Sequence, residues 1–379
     1  MRILHAVELY SPSVGGAQEV VRQISTRLAE RGHDVTVATR ALPDRASRVI
    51  DGVAIEEFDA GGSALQGLSG EVDRYREFVR DGGFDVVMTY AAQQWTTDAL
   101  LDTIGDVPAR TVLAPCGFSG LGTRSWRGYF KSLPGALGRF DALVFHSETY
   151  QDIEFARSAG LTNLHVIPNG ADEREFGRDG ALDFRHLHGI EADEPLLLTV
   201  GGHTGLKGHL QVLRALRELD SRATLALIGN TPVSGGCREE CERLAARTGR
   251  RVLLLDPPRD EVVAAYRAAD LFVFASEVEA SPLVLYEANA AGTPFVSGPA
   301  GNAEEIAGWT GGGVVVPAPR RRRRFRVSPR RLARASDELL ADPSRRTALG
   351  EAGRRAWRES FTWDAITSQY ERLYEELAG

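Results

Sequence analysis

Two doubly wound α/β halves are the fold class this sequence predicts, and three observations carry the prediction. A chain of 379 residues is too long for one ordinary hydrophobic core, so two domains are expected. Short apolar, β-branched runs alternate with helical patterns along the whole length, the mark of stacked βαβ units and parallel sheets. Between two such series lies Pro168-Asn169-Gly170-Ala171-Asp172, whose Asn and Gly favour a turn on local grounds.

In the first series the expected strands are 3–7, 35–39, 53–58, 86–90, 111–114, 142–145 and 164–167. The clearest helix between them is 18–31, stopped by Gly32. The second series predicts strands 196–200, 223–229, 252–255, 271–275 and 294–297, with helices beginning near Gly208, Glu239, Asp260 and Pro282. A last helix over 361–377 follows from Phe361, Ile366, Tyr370, Leu373, Tyr374 and Leu377 at helical spacing.

Composition narrows the function. A hydrophobic content of 43% and a charged content of 26% belong to a soluble globular protein, and a net charge of −7 argues against a general nucleic-acid binder. No apolar run is long enough to span a bilayer, and Met1-Arg2-Ile3-Leu4-His5-Ala6-Val7 reads as a buried strand, not a secretion signal. Three cysteines exclude a disulfide framework and suit a reducing cytoplasm. Cys237 and Cys241 could share a helical face, but two thiols without partners make a poor metal site, so structural or idle thiols are expected. Lysine occurs only at 131 and 207 among many arginines, which makes Lys207 conspicuous.

The chemistry concentrates in Glu277-Val278-Glu279-Ala280-Ser281-Pro282-Leu283-Val284-Leu285-Tyr286-Glu287, running into Ala291-Gly292-Thr293-Pro294. Ser281 is a good N-cap and Pro282 suits the first helical position, so a helix is expected to start there. The amides of Leu283 and Val284 would form an anion site at its tip. Glu287 would project about 9 Å further along the axis at ~1.5 Å rise per residue. That offset suits a nucleoside diphosphate sugar, with phosphate at the tip, ribose diol at Glu287 and the transferred group near Glu279. The bland alternative is an acidic helical turn plus one surface Glu.

This stretch resembles the E-x7-E signature of family 4 glycosyltransferases, retaining enzymes of the GT-B fold, in which two Rossmann-like domains face a central cleft. Thr199-Val200-Gly201-Gly202-His203-Thr204-Gly205-Leu206-Lys207-Gly208 resembles the family's V-G-R-x-x-x-x-K-G, and Gly15-Gly16 with Gly32-His33-Asp34-Val35 resembles its opening. The turn at 168–172 is similar to the family's hinge, P-N-G-V-D. The resemblance implies an N-terminal acceptor-side domain over 1–172, onto which the helix of 361–379 packs back, and a nucleotide-sugar-binding domain over 173–360. It implies Glu279 and Lys207 as catalytic residues. Gly15, Gly16, Lys207, Ser281, Leu283, Val284 and Glu287 are the implied donor contacts.

Two positions depart from the family pattern. Gly202 stands where an Arg is usual, with His203 as a candidate to compensate, and Cys116 stands where a His often reaches toward the donor sugar. His146, after the strand 142–145, and Gly301, in a loop resembling G-G-x-x-E, are further candidates for donor or acceptor contact. For His146 a structural role beside the capping Ser147 is the alternative. No Asp-x-Asp occurs, so no metal and no cofactor is expected beyond the nucleotide sugar itself.

Two basic segments bear on partners. Arg124-Ser125-Trp126-Arg127-Gly128-Tyr129-Phe130-Lys131-Ser132-Leu133 reads either as a solvated helix with a core stripe or as a contact for anionic lipid. The run Arg320-Arg321-Arg322-Arg323-Arg324 reads as a mobile, solvated loop, with attraction to a membrane surface as the alternative; no nucleic-acid module accompanies it. The resulting expectation is a cytoplasmic, metal-independent, retaining hexosyltransferase, with peripheral contact at the inner membrane face left open. Its donor would be a UDP- or GDP-sugar and its acceptor a hydroxyl of a glycan, glycolipid or small molecule. A sugar-nucleotide 2-epimerase-like isomerase and a catalytically weak nucleotide-sugar-binding protein are the alternatives.

Overall fold

The structure, a computed structural model, describes residues 1–178, 180, 182–230, 236–321 and 324–379. The chain divides into two compact units, Met1–Asn169 with Trp363–Gly379, and Gly170–Thr362.

The first unit is built on β1 (Arg2–Ala6), β2 (Asp34–Arg40), β3 (Val49–Ile50), β4 (Val53–Phe58), β5 (Ala60–Ser63), β6 (Gly67–Gly70), β7 (Val86–Tyr90), β8 (Arg110–Ala114), β9 (Ala142–Phe145) and β10 (Leu164–Val166). Eight of these form one sheet in the order β10-β9-β8-β7-β1-β2-β4-β3. Its pairings are parallel except for β3 against β4. Helices cover both faces, so β7 is buried at every residue and reads as an apolar run broken only by Thr89. The antiparallel β5–β6 hairpin stands apart and escapes sequence reasoning, because Ala-Gly-Gly-Ser carries no β-branched signal.

The helix Trp363–Ala378 completes this unit by burying Ile366, Tyr370, Leu373 and Tyr374. The Tyr374 hydroxyl lies 3.1 Å from His5 Nε2 and donates to Met88 Sδ at 3.1 Å. At the rim Arg31 pairs with Asp364 and Glu371, each at 2.6 Å, and His33 Nε2 meets Glu371 at 2.8 Å.

The second unit contains β11 (Leu196–Val200), β12 (Thr224–Ile228), β13 (Val252–Leu255), β14 (Leu271–Phe274), β15 (Phe295–Ser297) and β16 (Gly313–Val315), followed by the short hairpin β17 (Arg320–Arg321) and β18 (Arg324–Phe325). The sheet runs β13-β12-β11-β14-β15-β16 and is parallel throughout. Intervening helices are His209–Glu218, Arg238–Ala245, Arg259–Ala268, Leu283–Ala291 and Ala303–Thr310. The beginning and end of the unit are joined where Ala171 N donates to Phe361 O at 3.0 Å and Trp357 Nε1 donates to Ala171 O at 3.0 Å.

One glycine is demanded by this packing. Gly208 precedes the His209–Glu218 helix with φ of 73°, and a Cβ there would lie 1.9 Å from the backbone oxygen of Ala275. Replacing it therefore forces a left-handed side-chain residue and moves the main chain after β14. Gly208→Ala is expected to lower stability by about 2–4 kcal/mol in denaturant unfolding. A change below about 0.5 kcal/mol would contradict this close packing.

A second prediction concerns acid. His5 is fully buried between Ser25 Oγ, 2.7 Å from Nδ1, and Tyr374, and burial holds its pKa down from 6.5 to about 3. Below about pH 6.5 the unfolded chain takes a proton that the native imidazole refuses. Stability therefore falls as pH drops toward about 3, by at most about 1.4 kcal/mol per pH unit from this group. His5→Gln should flatten the pH dependence of unfolding free energy by about one proton in that window; an unchanged slope would show that His5 is not its source.

Candidate functional site

In a parallel sheet the loops leaving the strand C-termini gather along one edge. Two such loops in the second unit, after β11 and after β14, are joined directly. The Leu206 carbonyl accepts from Glu277 N at 2.8 Å and lies 3.2 Å from Ser276 Oγ. Across this junction Lys207 Nζ meets Glu279 Oε1 at 2.7 Å, and Ser276 Oγ donates to the same oxygen at 2.8 Å. The Lys207 side chain is 32% exposed and that of Glu279 12%, so solvent reaches the ammonium more readily than the carboxylate. The loop after β15 closes against the same place. Gly301 has φ of 66°, and a Cβ on it would lie 2.6 Å from Ala280 O and 2.9 Å from Glu279 Cβ. The bare Gly301 thus leaves room for Ala280 and Glu279.

The helix that follows starts one residue later than expected. It spans Leu283–Ala291 with Pro282 in the N-cap position at ψ of 112°, and Ser281 precedes the cap. The reason is that Pro282 keeps an extended ψ, while its carbonyl takes a tight bond from Leu285 N at 3.2 Å. The Leu283 and Val284 amides donate to no acceptor among the described residues, as at any first helical turn.

Glu287, on this helix, is held at both oxygens. Arg259 Nη2 meets Oε1 at 2.5 Å and the Tyr266 hydroxyl donates to Oε2 at 2.9 Å. Arg259 also reaches Glu175 at 2.7 Å. Burial opposes the Arg259 charge, but the two carboxylates outweigh it and hold its pKa up; burial, with Glu287 beside it, likewise holds the Tyr266 phenol protonated. A carboxylate with about four lone-pair directions keeps some for other donors after these two bonds.

The remaining expected residues fall into different settings. Gly15 lies in the N-cap position of the helix Gly16–Glu30 with an extended backbone, and a Cβ on Gly16 would meet nothing within 4 Å, so packing does not require that glycine. Cys116 is half-buried after β8 with φ of 56°, and the neighbouring Gly117 amide donates to Asp152 Oδ2 at 2.8 Å. His146 is a buried histidine: Nδ1 lies 2.8 Å from Ile167 O and Nε2 2.9 Å from the Tyr90 hydroxyl, and burial lowers its pKa.

His203 does not replace the absent arginine at 202. Its side chain is fully buried and turns toward Cys237, with Nδ1 3.6 Å from Sγ. The expectation of partnerless thiols is overturned with it, because the fold brings His203 and His209 to Cys237 and Cys241. The sequence signal was a pair of histidines six apart and a pair of cysteines four apart, separated by a helix, a strand and a loop.

The basic segments also resolve. In the helix Arg127–Leu137, Phe130 and Leu133 are buried, Trp126 and Tyr129 pack against the same core, and Arg124, Arg127 and Lys131 are exposed, so the core stripe is present and the cations lie on the surface. The arginine run is not a free loop where it is described. Arg320 and Arg321 pair with Phe325 and Arg324 as β17–β18, while Arg322 and Arg323 lie outside the described residues. Phe325 N donates to Glu277 O at 2.9 Å, and the Glu277 carboxylate takes Arg326 at 3.3 Å and Arg324 at 3.7 Å. A buried acid beside the Lys207 loop thus anchors the hairpin. Among the described residues no helix is long and apolar enough to cross a membrane.

Comparison with known proteins bears on the family and the fold. Residues 14–175 match the family described as Glycosyltransferase Family 4 and residues 183–356 that described as Glycosyl transferases group 1. A D-inositol 3-phosphate glycosyltransferase of Xylanimonas cellulosilytica is 28% identical, over 99% of this chain and 96% of the relative. The fold is that of a sucrose-phosphate synthase from Thermosynechococcus elongatus, with a TM-score of 0.81 at 22% identity over 100% of this chain and 99% of that one. It is also that of Anabaena HepE in complex with UDP-glucose, with a TM-score of 0.77 at 18% identity over 99% and 100%. With two Rossmann-like units and both family matches spread along its length, the chain belongs to the family 4-like glycosyltransferases of the GT-B fold.

Proposed function

We propose that this glycosyltransferase is retaining and moves a hexosyl group from a nucleoside diphosphate sugar to a hydroxyl of a glycan, glycolipid or small molecule. The observation that carries the reading is the Lys207–Glu279 pair, in the same unit as a helix whose first amides are unengaged and which carries an anchored Glu287. A diphosphate would take its charge compensation from Lys207 and from the Leu283 and Val284 amides, groups fixed before the reaction and aimed at the charge that develops on the leaving group. A diphosphate at Lys207 competes with Glu279 for the ammonium and turns that carboxylate toward the sugar. Glu287, oriented by Arg259 and Tyr266, offers its remaining lone pairs to the ribose hydroxyls.

In this reading Lys207 and the helix amides do the electrostatic work that Mg²⁺ or Mn²⁺ does elsewhere, so the diphosphate needs no bridging divalent ion. The HepE complex with UDP-glucose supports the donor class, and the inositol phosphate glycosyltransferase supports a polyol hydroxyl as acceptor class. Cleavage of the C1–O bond to the diphosphate, with attack on the face it vacates, gives retention. In the first unit, Gly16, bare without a packing need, is free to let a ligand approach its backbone.

Thermal melting against a panel of nucleotide sugars, without added divalent ions, tests the reading. One donor should raise the midpoint, since a ligand at a hundred times its Kd adds about 2.7 kcal/mol to native stability. Lys207→Ala and Glu287→Ala should abolish that rise. With an accepted hydroxyl compound, the product should keep the donor's anomeric configuration by NMR. No shift with any donor, or an inverted product, would overturn the proposal.

A further inference from the structure

We propose that His203, His209, Cys237 and Cys241 form a structural zinc site of Cys2His2 type within the nucleotide-sugar unit. One ligand atom from each of the four side chains lies within 4.8 Å of all the others, and all four residues are buried. Among the described residues no other group of three or more His, Cys, Asp or Glu is gathered in this way.

The geometry follows from two segments. His203 sits in the loop after β11, and its amide is fixed by Asn230 O at 2.9 Å. His209 opens the helix His209–Glu218 immediately after Gly208. Cys237 is at the N-cap position of the helix Arg238–Ala245 and Cys241 lies one turn on, so the i, i+4 spacing puts both sulfurs on one helix face. The segments are already bonded through the main chain, where Cys237 N donates to His203 O at 3.0 Å.

The three separations that run from Cys237 Sγ match the edges of a zinc tetrahedron, and all four ligand atoms lie within 4.8 Å of one another. With Zn–S of about 2.3 Å and Zn–N of about 2.0–2.1 Å, tetrahedral edges are about 3.8 Å between sulfurs and about 3.6 Å between sulfur and nitrogen. Here Cys241 Sγ is 3.7 Å from Cys237 Sγ, which is 3.6 Å from His203 Nδ1 and 3.8 Å from His209 Nδ1. The two imidazole centroids are 4.9 Å apart and the rings are inclined at 72°, so neither stacks across the centre.

Without a cation these side chains are poorly served. Their mutual contacts rest on sulfur, a weak hydrogen-bond donor and acceptor, so neither the thiols nor the two Nδ1 atoms gain a strong partner from one another. Two thiolates with a divalent ion make a neutral cluster, which can be buried without a stranded charge, and each thiol releases its proton to solvent on binding. A donor set of two sulfurs and two imidazole nitrogens, with no carboxylate, selects zinc over Mg²⁺ or Ca²⁺. Four protein ligands leave no open coordination position, which is the signature of a structural ion and not of a catalytic one.

The ion would clamp residues 203–209, and with them Lys207, onto the helix Arg238–Ala245. The site does not depend on the identity of the donor, and its readouts are metal content, thiol reactivity and a spectrum, none of which requires turnover.

The test uses the full chain purified under reducing conditions without a metal-binding tag. Elemental analysis should find about one zinc per chain. Replacing zinc with Co²⁺ should give the intense visible bands and thiolate charge-transfer absorption of a tetrahedral sulfur-containing site, unchanged in Cys116→Ser. Cys241→Ser and His209→Gln should each weaken Co²⁺ binding by at least about tenfold. In the metal-loaded native chain only Cys116 should react with a thiol reagent, and removing the metal should expose two further thiols. If the variants do not fold, the natural chain alone decides. A reduced, folded chain that takes up neither Zn²⁺ nor Co²⁺, or whose Cys237 and Cys241 react equally fast with and without zinc, overturns the proposal.

Discussion

The junction between the loops after β11 and β14 is the contact on which the rest of the second unit's chemistry depends. Gly208 approaches the main chain at Ala275 more closely than any side-chain residue could. Leu206 then accepts the Glu277 amide beside Ser276 Oγ. From that point one direction leads to Lys207 and Glu279, another to the buried Glu277 and the arginine hairpin, and a third to His203 and His209. A parallel sheet brings these loops to one edge; backbone contact between them turns shared location into a defined distance between an ammonium and a carboxylate.

Charge in this region is arranged in linked sets with little left uncompensated. Glu287 lies between Arg259 and Tyr266, and Arg259 is shared with Glu175. Such a group keeps its orientation because removing one member would strand another in a partly dry setting. Glu277 is nearly inaccessible and acts as the fixed acid for Gln211, Arg324 and Arg326. Lys207 is balanced by the Glu279 carboxylate and partly open to solvent. An arriving anion can therefore recruit it by displacing a single partner.

Much of this was legible in the sequence because buried parallel strands write themselves as continuous apolar runs. The strands 86–90, 142–145 and 196–200 are found at the expected residues for this reason, and the half-buried 53–58 and 252–255 are found there too. The signature from Glu277 to Glu287 was readable for a related reason: a loop and the helix after it are local in sequence. What stayed illegible was non-local or weakly patterned. The Ala60–Ser63 and Gly67–Gly70 hairpin has no side-chain alternation to detect. The arginine run looks solvated by composition, and only the fold reveals the acid beneath it. The thiols looked partnerless because their histidines precede them by a helix, a strand and a loop, and periodicity does not report contacts at that separation. The helix start slipped by one residue because Pro282 satisfies either side of the boundary.

The first unit takes its last helix from residues 363–379, beyond the whole of the second unit. During synthesis on the ribosome the two halves therefore mature in the opposite order to their appearance. Residues 170–362 can finish their core first, while β1 and β7 wait with His5 and Met88 uncovered until Tyr374 emerges. For that interval the nascent chain carries an open apolar face on its earliest-made half, the stretch most in need of a chaperone or of rapid elongation.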